Sequence, residues 1–539
     1  MPAGASAEVV IVGAGVAGLC ELHHLRARGF SVVLVDRSPD LGGTWYWNRY
    51  PGCRFDSESY TYGYRFSPDL LHDWSWQERF APQPETLGYL NHVASRFDLR
   101  PDIVFGFDVT GASWDEASCR WTLTAADGRE VTGRYLVTCM GILSSPTLPR
   151  LPGIDSFAGQ SFHTYYWPHE PVEYAGKRVG VVGTGATGVQ LIQTIARDVA
   201  ELAVFQRRPN WTAPLGNGPI SAAEMDGIKA RYEEIFAACD RSPGGFVHDP
   251  DRRGFWNVPR EERVRFWEEL YQQPGFAIWL GNFREIFTDA AANAELSEFM
   301  AAKIRQRIHD PDLADRMIPA DHGFGVQRLP LETGYYEAYN RDNVHLVDLR
   351  DTPIEKVTPA GIATTDQHYD LDIIVYATGF DAVTGAFDRV GITGTGGATL
   401  RDLWKDGPQT YLGLFVHGFP NLIAVGGPQG GGSGSVNFPR AIEQQTDWAA
   451  DLLEHMRKTG LRRFEATPEA QAEWFAHVVE MNQLMLLRNA RSWFTGYNSN
   501  VPGHDNGAPR YLLYNGGAYK YRTTLRQVAE SGYAAMELS

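Results

Sequence analysis

Two short β-branched runs, each followed at once by G-x-G-x-x-G, constrain this 539-residue chain more than any other feature. Glu8 to Val12 reads as a buried parallel strand. GAGVAG follows, with Gly13, Gly15 and Gly18. A helix is then expected over Leu19 to Arg28, stopped by Gly29, and a second strand over Ser31 to Val35, ending at Asp36. The second unit repeats the pattern with a strand at Lys177 to Val182, GTGATG with Gly183, Gly185 and Gly188, a helix at Val189 to Asp198 and a strand at Glu201 to Phe205. In such a βαβ unit the first glycine makes the tight turn, the second lets backbone approach a pyrophosphate, and the third lets helix and strand pack closely. The helix N-terminus presents N–H groups and positive dipole to the phosphates.

The two units differ where the second strand ends. Asp36 in the first suits a free ribose hydroxyl, whereas the second carries Gln206-Arg207-Arg208, and arginine accommodates a 2′-phosphate. The first site therefore suits an unmodified ribose, such as the ADP half of FAD, and the second suits NADPH. The expected fold is α/β with two Rossmann-like dinucleotide-binding domains.

The length is too great for one core and suggests roughly three to four structural units. A net charge of −16 argues against general binding to nucleic acid or an anionic membrane, which need basic surfaces. Five scattered cysteines, with no C-x-x-C pair, give no disulfide framework, zinc signature or dithiol centre, and no metal site is expected. A reducing cytoplasm fits them best. The glycine-broken N-terminal run, without a basic segment before it, reads as neither signal peptide nor membrane span.

Between and after the glycine turns the chain divides. LGGTWYWNRYPGCRFD, Leu41 to Asp56, is a tight aromatic loop with a Pro51-Gly52 turn, placed to lie over whatever extends from the first nucleotide site. A helix at Glu85 to Phe97 and a β-meander around Trp114 and Trp121 follow, then a strand at Tyr135 to Thr138. Prolines 146, 149 and 152 mark a linker, and FAGQSFHTYYWP, Phe157 to Pro168, comes directly after it. Residues 220–320 read as mostly helical, with helices around Glu261 to Tyr271 and Ala291 to His309. Returning strands are expected at Asn343 to Val347, Asp372 to Tyr376 and Asn421 to Val425. The last runs into the glycine-rich stretch Gly426 to Gly434, where glycines permit close backbone approach to a flavin. A long helix, Arg440 to Lys458, precedes a polar tail read as loop-rich. The domain reading is 1–145 and 381–539 for the first nucleotide, 146–219 (with the linker) and 323–380 for the second, and a helical insertion at 220–322.

These residues resemble the type I Baeyer–Villiger monooxygenases, class B flavin-dependent monooxygenases. FAGQSFHTYYWP fits the family pattern F-x-G-x-x-x-H-x-x-x-W-[PD], and GGTWYWNRYPGCRFD fits G-G-x-W-x-x-x-x-[FY]-P-G-x-x-x-D. Both patterns are complete, in the family's order, and the likeness continues through ATGFD to SWFTGYNSNVPG in the tail. The resemblance implies FAD as prosthetic group, NADPH as hydride donor, and O2 and a ketone as substrates. Oxygen is captured as a C4a-peroxyflavin and inserted beside the carbonyl to give an ester or lactone. It implies Arg328 in GFGVQRLP as the catalytic arginine and Asp56 as its acidic partner. For FAD the matching positions are Gly13, Gly15, Gly18, Asp36, Thr44, Trp45, Asp56, Tyr62 and Val109, with Tyr46 and Trp47 in the same loop. For NADPH they are Thr184, Gly185, Gly188, Gln190, Arg207, Arg208, Arg328 and, in the tail, Trp493. Gln327 stands where many members carry a lysine for the 2′-phosphate. A neutral amide does not replace that charge, so the phosphate preference is expected to rest on Arg207 and Arg208. His163 is read as structural or as part of a domain joint.

Other readings remain open on the sequence: an N- or S-oxidising flavin monooxygenase sharing both nucleotide folds, and a non-enzymatic NADPH-sensing flavoprotein. A disulfide reductase is excluded for want of a dithiol. The tail resembles members that accept large cyclic ketones, so a cyclic or bulky ketone is expected. The oligomeric state is not legible.

Overall fold

The computed structural model describes residues 5–431 and 436–539. The first glycine unit is the centre of an eight-stranded sheet. Strands β1 (Ala5–Val12), β2 (Val32–Val35) and β3 (Ile103–Val104) pair in parallel, and β4 (Val109–Asp115), β5 (Arg120–Ala125) and β6 (Glu130–Thr138) form the expected meander. Strand β6 returns beside β1, with Val9 opposite Tyr135. Two late strands close the same sheet: Gly391–Thr393 on β4 and Leu422–Ala424 on β6. The continuous runs VVLV and LVT are buried on both faces, as parallel strands under helices must be.

The second sheet is wholly parallel. Strand β7 (Gln160–His163) lies at one edge, then Ile373–Tyr376, β8 (Arg178–Val182), β9 (Glu201–Gln206) and Val344–Asp348. Residues 157–168 are thus more than a linker, because their first half supplies an edge strand of this sheet. The three-stranded meander Ile354–Thr358, Gly361–Thr364 and His368–Asp370 was not expected. Its strands are short and face solvent on one side, so they carry little hydrophobic pattern.

Both motif helices begin earlier than their apolar periodicity suggests, at Val16 and Ala186. Each opens inside the glycine motif, because its third glycine is already helical and packs on the first. A Cβ on Gly18 would sit 1.7 Å from the Gly13 carbonyl oxygen.

Residues 220–320 are largely helical, with helices Arg260–Gln272 and Ala290–Arg307 the longest of that stretch. The long helix Phe438–Thr459 lies along Val16–Ala27, where Arg28 pairs with Asp447 and Asp451 at 2.9 and 2.6 Å. The tail departs from the loop-rich expectation. It forms helices Pro468–Gln483 and Ala518–Glu530 and an antiparallel pair, Phe464–Ala466 with Met536–Leu538. Thr467 caps the first of these helices and Pro468 opens it, so its start was marked in the sequence. Among the described residues no helix is long and apolar enough to cross a membrane.

Candidate active site

At the first turn Gly13 takes φ +109° and packs on the Cys139 carbonyl. Helix Val16–Ala27 starts at Gly15 with no side chain capping it. Its first N–H groups therefore point outward uncapped, which is an anion-binding geometry. Asp36 is buried beside them, accepting from the Ala14 and Ser38 N–H groups at 2.5 and 2.7 Å. The second fingerprint folds directly over this turn. Gly42 N–H donates to the Ala14 carbonyl at 2.9 Å, and exposed Thr44 opens a single helical turn, Thr44–Trp47. Val109 begins β4, paired with Ala125, and its side chain belongs to the same core cluster as Phe107 and Val10.

The three aromatics of this loop diverge. Trp45 is buried and donates its indole N–H to the Tyr62 hydroxyl at 2.8 Å, and Tyr62 stacks on Phe55 with ring centroids 4.2 Å apart. Trp47 stacks on Tyr165 at 5.7 Å, with the Arg37 guanidinium over both rings and bonded to the Tyr165 hydroxyl at 2.7 Å. The two fingerprints therefore touch. Tyr46 is half-buried against His169.

At the end of the loop Asp56 meets Arg328, 272 residues away, with Oδ2 accepting from Nη2 at 2.9 Å. The carboxylate side chain is 5% exposed and the guanidinium 31%. Burial raises the Asp56 carboxyl above its ordinary range, opposed by Arg328 and Arg54. The guanidinium lies 4.8 Å from the ring of Phe276, in the helical insertion. Three parts of the chain thus fix one cation.

Gln190 holds the two halves together. Its amide accepts from the Tyr50 hydroxyl at 2.8 Å and donates to the Arg54 carbonyl at 3.0 Å. Gly52, at φ +85°, lets the Pro51-Gly52 turn press on the same helix, where a Cβ would meet Thr194 Oγ1 at 2.2 Å.

At the second turn Gly183 repeats the φ of Gly13, whereas Gly185 faces open space, with nothing within 4 Å of a Cβ built there. Helix Ala186–Ile195 is also uncapped by any side chain. The Thr184 hydroxyl donates to the Arg208 carbonyl at 3.2 Å. Arg207 donates to Ser499 Oγ, and Arg208 to the Arg491 carbonyl at 2.9 Å and to Asp321 at 3.2 Å, with Tyr497 5.8 Å beneath it. Gln327 is half-buried. Trp493 sits in a single tail turn packed among Ile142, Leu143, Ala382 and Val383. The tail partners and Asp321 were missed in the sequence because only the folded chain brings them to the arginines.

His163 closes β7 opposite Tyr376. Its Nε2 lies 3.2 Å from the Gly379 carbonyl, and its Nδ1 accepts the Tyr165 N–H at 3.1 Å. Burial lowers its pKa to about 4, so the ring is neutral and serves the joint between β7 and the ATGFD turn. Glycines 426–431 are buried against the chain itself: a Cβ on Gly431 would meet Tyr521 at 2.4 Å. Gly432 and Gly434 lie outside the described residues. A cleft of about 550 Å³ lies on the insertion beside Trp211 and His322, but neither Arg328 nor Asp56 lines it.

Comparison with known proteins places this geometry in context. A model of the flavin-binding monooxygenase-like family matches residues 6–215. The chain is 43% identical over 538 residues to the 2-oxo-Δ3-4,5,5-trimethylcyclopentenylacetyl-CoA monooxygenase of Pseudomonas putida, covering 99% of this chain and 98% of the relative. It is 43% identical over 533 residues to the methyl acetate-forming acetone monooxygenase of Gordonia sp. strain TY-5, covering 99% of each. The solved structure of OTEMO in complex with FAD and NADP superposes with a TM-score of 0.95 at 43% identity, covering 99% of this chain and 100% of that one. The closed structure of cyclohexanone monooxygenase superposes with a TM-score of 0.95 at 38% identity, covering 99% of both.

Proposed function

The chain belongs to the Baeyer–Villiger monooxygenases, within the flavin-binding monooxygenase-like proteins, and we propose that it inserts one oxygen atom of O2 beside the carbonyl of a cyclic or bulky ketone. FAD and NADPH are its cofactors. When bound and reduced by NADPH, FAD supplies the activation of oxygen.

The residues present fit both groups. Gly13, Gly15, Gly18, Asp36 and Thr44 would hold FAD at the first uncapped helix. Thr184, Gly185, Gly188, Arg207 and Arg208 would hold NADPH at the second, where no atom lies within 4 Å of a Cβ built on Gly185. Residues 1–145 and 381–539 then serve the flavin, and 146–219 with 323–380 serve the nicotinamide.

The observation that carries the reading is the Arg328–Asp56 pair, which fixes a cation where the two nucleotide-binding halves and the insertion converge. A preorganised guanidinium stabilises negative charge developing on oxygen, and Asp56 aims it. The five free cysteines, four of them buried, support a reducing cytoplasm as the setting. Support for a bulky ketone comes from similarity to the trimethylcyclopentenylacetyl-CoA enzyme and, at a TM-score of 0.94, to a steroid monooxygenase.

A second reading, N-oxidation, rests on 38% identity to a phenazine N-monooxygenase of Lysobacter antibioticus. One panel separates them: NADPH consumption with acetone, cyclohexanone, a substituted cyclopentenone, a steroid ketone and phenazine. The expected result is fastest turnover on a cyclic ketone, with an ester or lactone product. Turnover confined to phenazine overturns the ketone reading.

A further inference from the structure

We infer that Asp321 is a specificity-determining residue of this chain: it positions Arg208 for the 2′-phosphate of NADPH in place of the lysine absent at Gln327. The inference rests on the reading of Arg208 as a 2′-phosphate ligand.

Arg208 is held at three points. Its main-chain carbonyl accepts from Thr184, one guanidinium nitrogen reaches the Arg491 carbonyl, and Nη1 lies 3.2 Å from Asp321 Oδ2. Asp321 is itself fixed, because its Oδ1 is 2.6 Å from His322 Nδ1. That bond holds its carboxyl down at about 2, so it is an anion. His322 is anchored in turn, with a side chain only 4% exposed and a carbonyl accepting from the Trp211 indole at 3.0 Å. Trp211 stands three residues after Arg208 in sequence, so the chain of contacts closes on itself.

This arrangement is informative because it has a cost. A carboxylate beside a 2′-phosphate repels it, and an ion pair with side chains 30% and 44% exposed adds little stability. What the acid does supply is direction. Arginine is long and flexible, and two oriented hydrogen bonds fix its plane while leaving donors on the same guanidinium for an oxyanion. With Gln327 neutral, the second arginine matters more, and its order with it.

The test uses the FAD-loaded protein and two probes, adenosine 2′,5′-bisphosphate and AMP, with binding measured by calorimetry. For Asp321→Asn, which is isosteric, the bisphosphate is expected to bind about tenfold more weakly while AMP binding is retained. The NADPH KM is expected to rise without a matching fall in kcat. Asp321→Glu is expected to restore part of the loss, and Asp321→Asn/Arg208→Ala to be no weaker than Arg208→Ala alone. If Asp321→Asn binds the bisphosphate as tightly as the parent or more tightly, the acid is repelling rather than positioning and the inference falls. If Arg208→Ala alone leaves the bisphosphate-to-AMP preference unchanged, the arginine reading itself has failed, which is a separate outcome.

Discussion

Asp56 carries opposite demands at one carboxyl. Burial raises its pKa above the ordinary carboxylate value, and the Arg328 charge opposes that rise. Its contribution to stability is full below the unfolded value of about 3.9 and is lost as pH rises through the higher folded value. Orienting Arg328 needs the ionised form. Activity is therefore expected to fall on the acid side at a pH above the ordinary carboxylate range, and a pH profile of kcat/KM for the ketone reads it directly. Asp56→Asn removes that limb. It should lower kcat/KM roughly 100-fold, while circular dichroism shows the fold retained. A variant that loses stability and activity together would show that the pair is structural. These two residues were legible in the sequence because each stands in a motif. Asp321 was not, since its relation to Arg208 exists only across a contact of 113 residues.

Among the elements, the two glycine turns separate folding from binding. A Cβ on Gly18 collides with the Gly13 carbonyl, whereas one on Gly185 meets nothing. Gly18→Ala is expected to destabilise the fold, and Gly185→Ala to leave the melting temperature intact while raising the NADPH KM about tenfold. Thermal melts beside steady-state kinetics distinguish the two. Strand β7 gives a second test. Because burial lowers His163 to about 4 from 6.5, its stabilising contribution is present above 6.5 and is lost as pH falls toward 4, by about 3 kcal/mol. His163→Gln should flatten the fall in stability across that window. An unaltered slope in denaturant titrations would remove His163 from the joint. The βαβ units were readable because their strands are buried on both faces. Strand β7 and the 354–370 meander were not, being three to five residues long and too short to show a period. The helix Pro468–Gln483 was marked by its cap and was masked by its polar surface.

On the scale of the whole molecule, the chain leaves its first sheet after β6, builds the second, and returns to the first at Gly391–Thr393. Asp56 of the first part of the chain, Arg328 and Phe276 of the 220–320 stretch meet at one point in a protein of net charge −16. We expect this convergence to serve oxygen insertion into a ketone, and mass spectrometry of the product formed from a cyclic ketone under isotopically labelled O2 with NADPH tests it. A lactone bearing one labelled oxygen in the ring is expected, with NADPH consumed in step with it. Ketone recovered unchanged while NADPH is oxidised to give only hydrogen peroxide would contradict it.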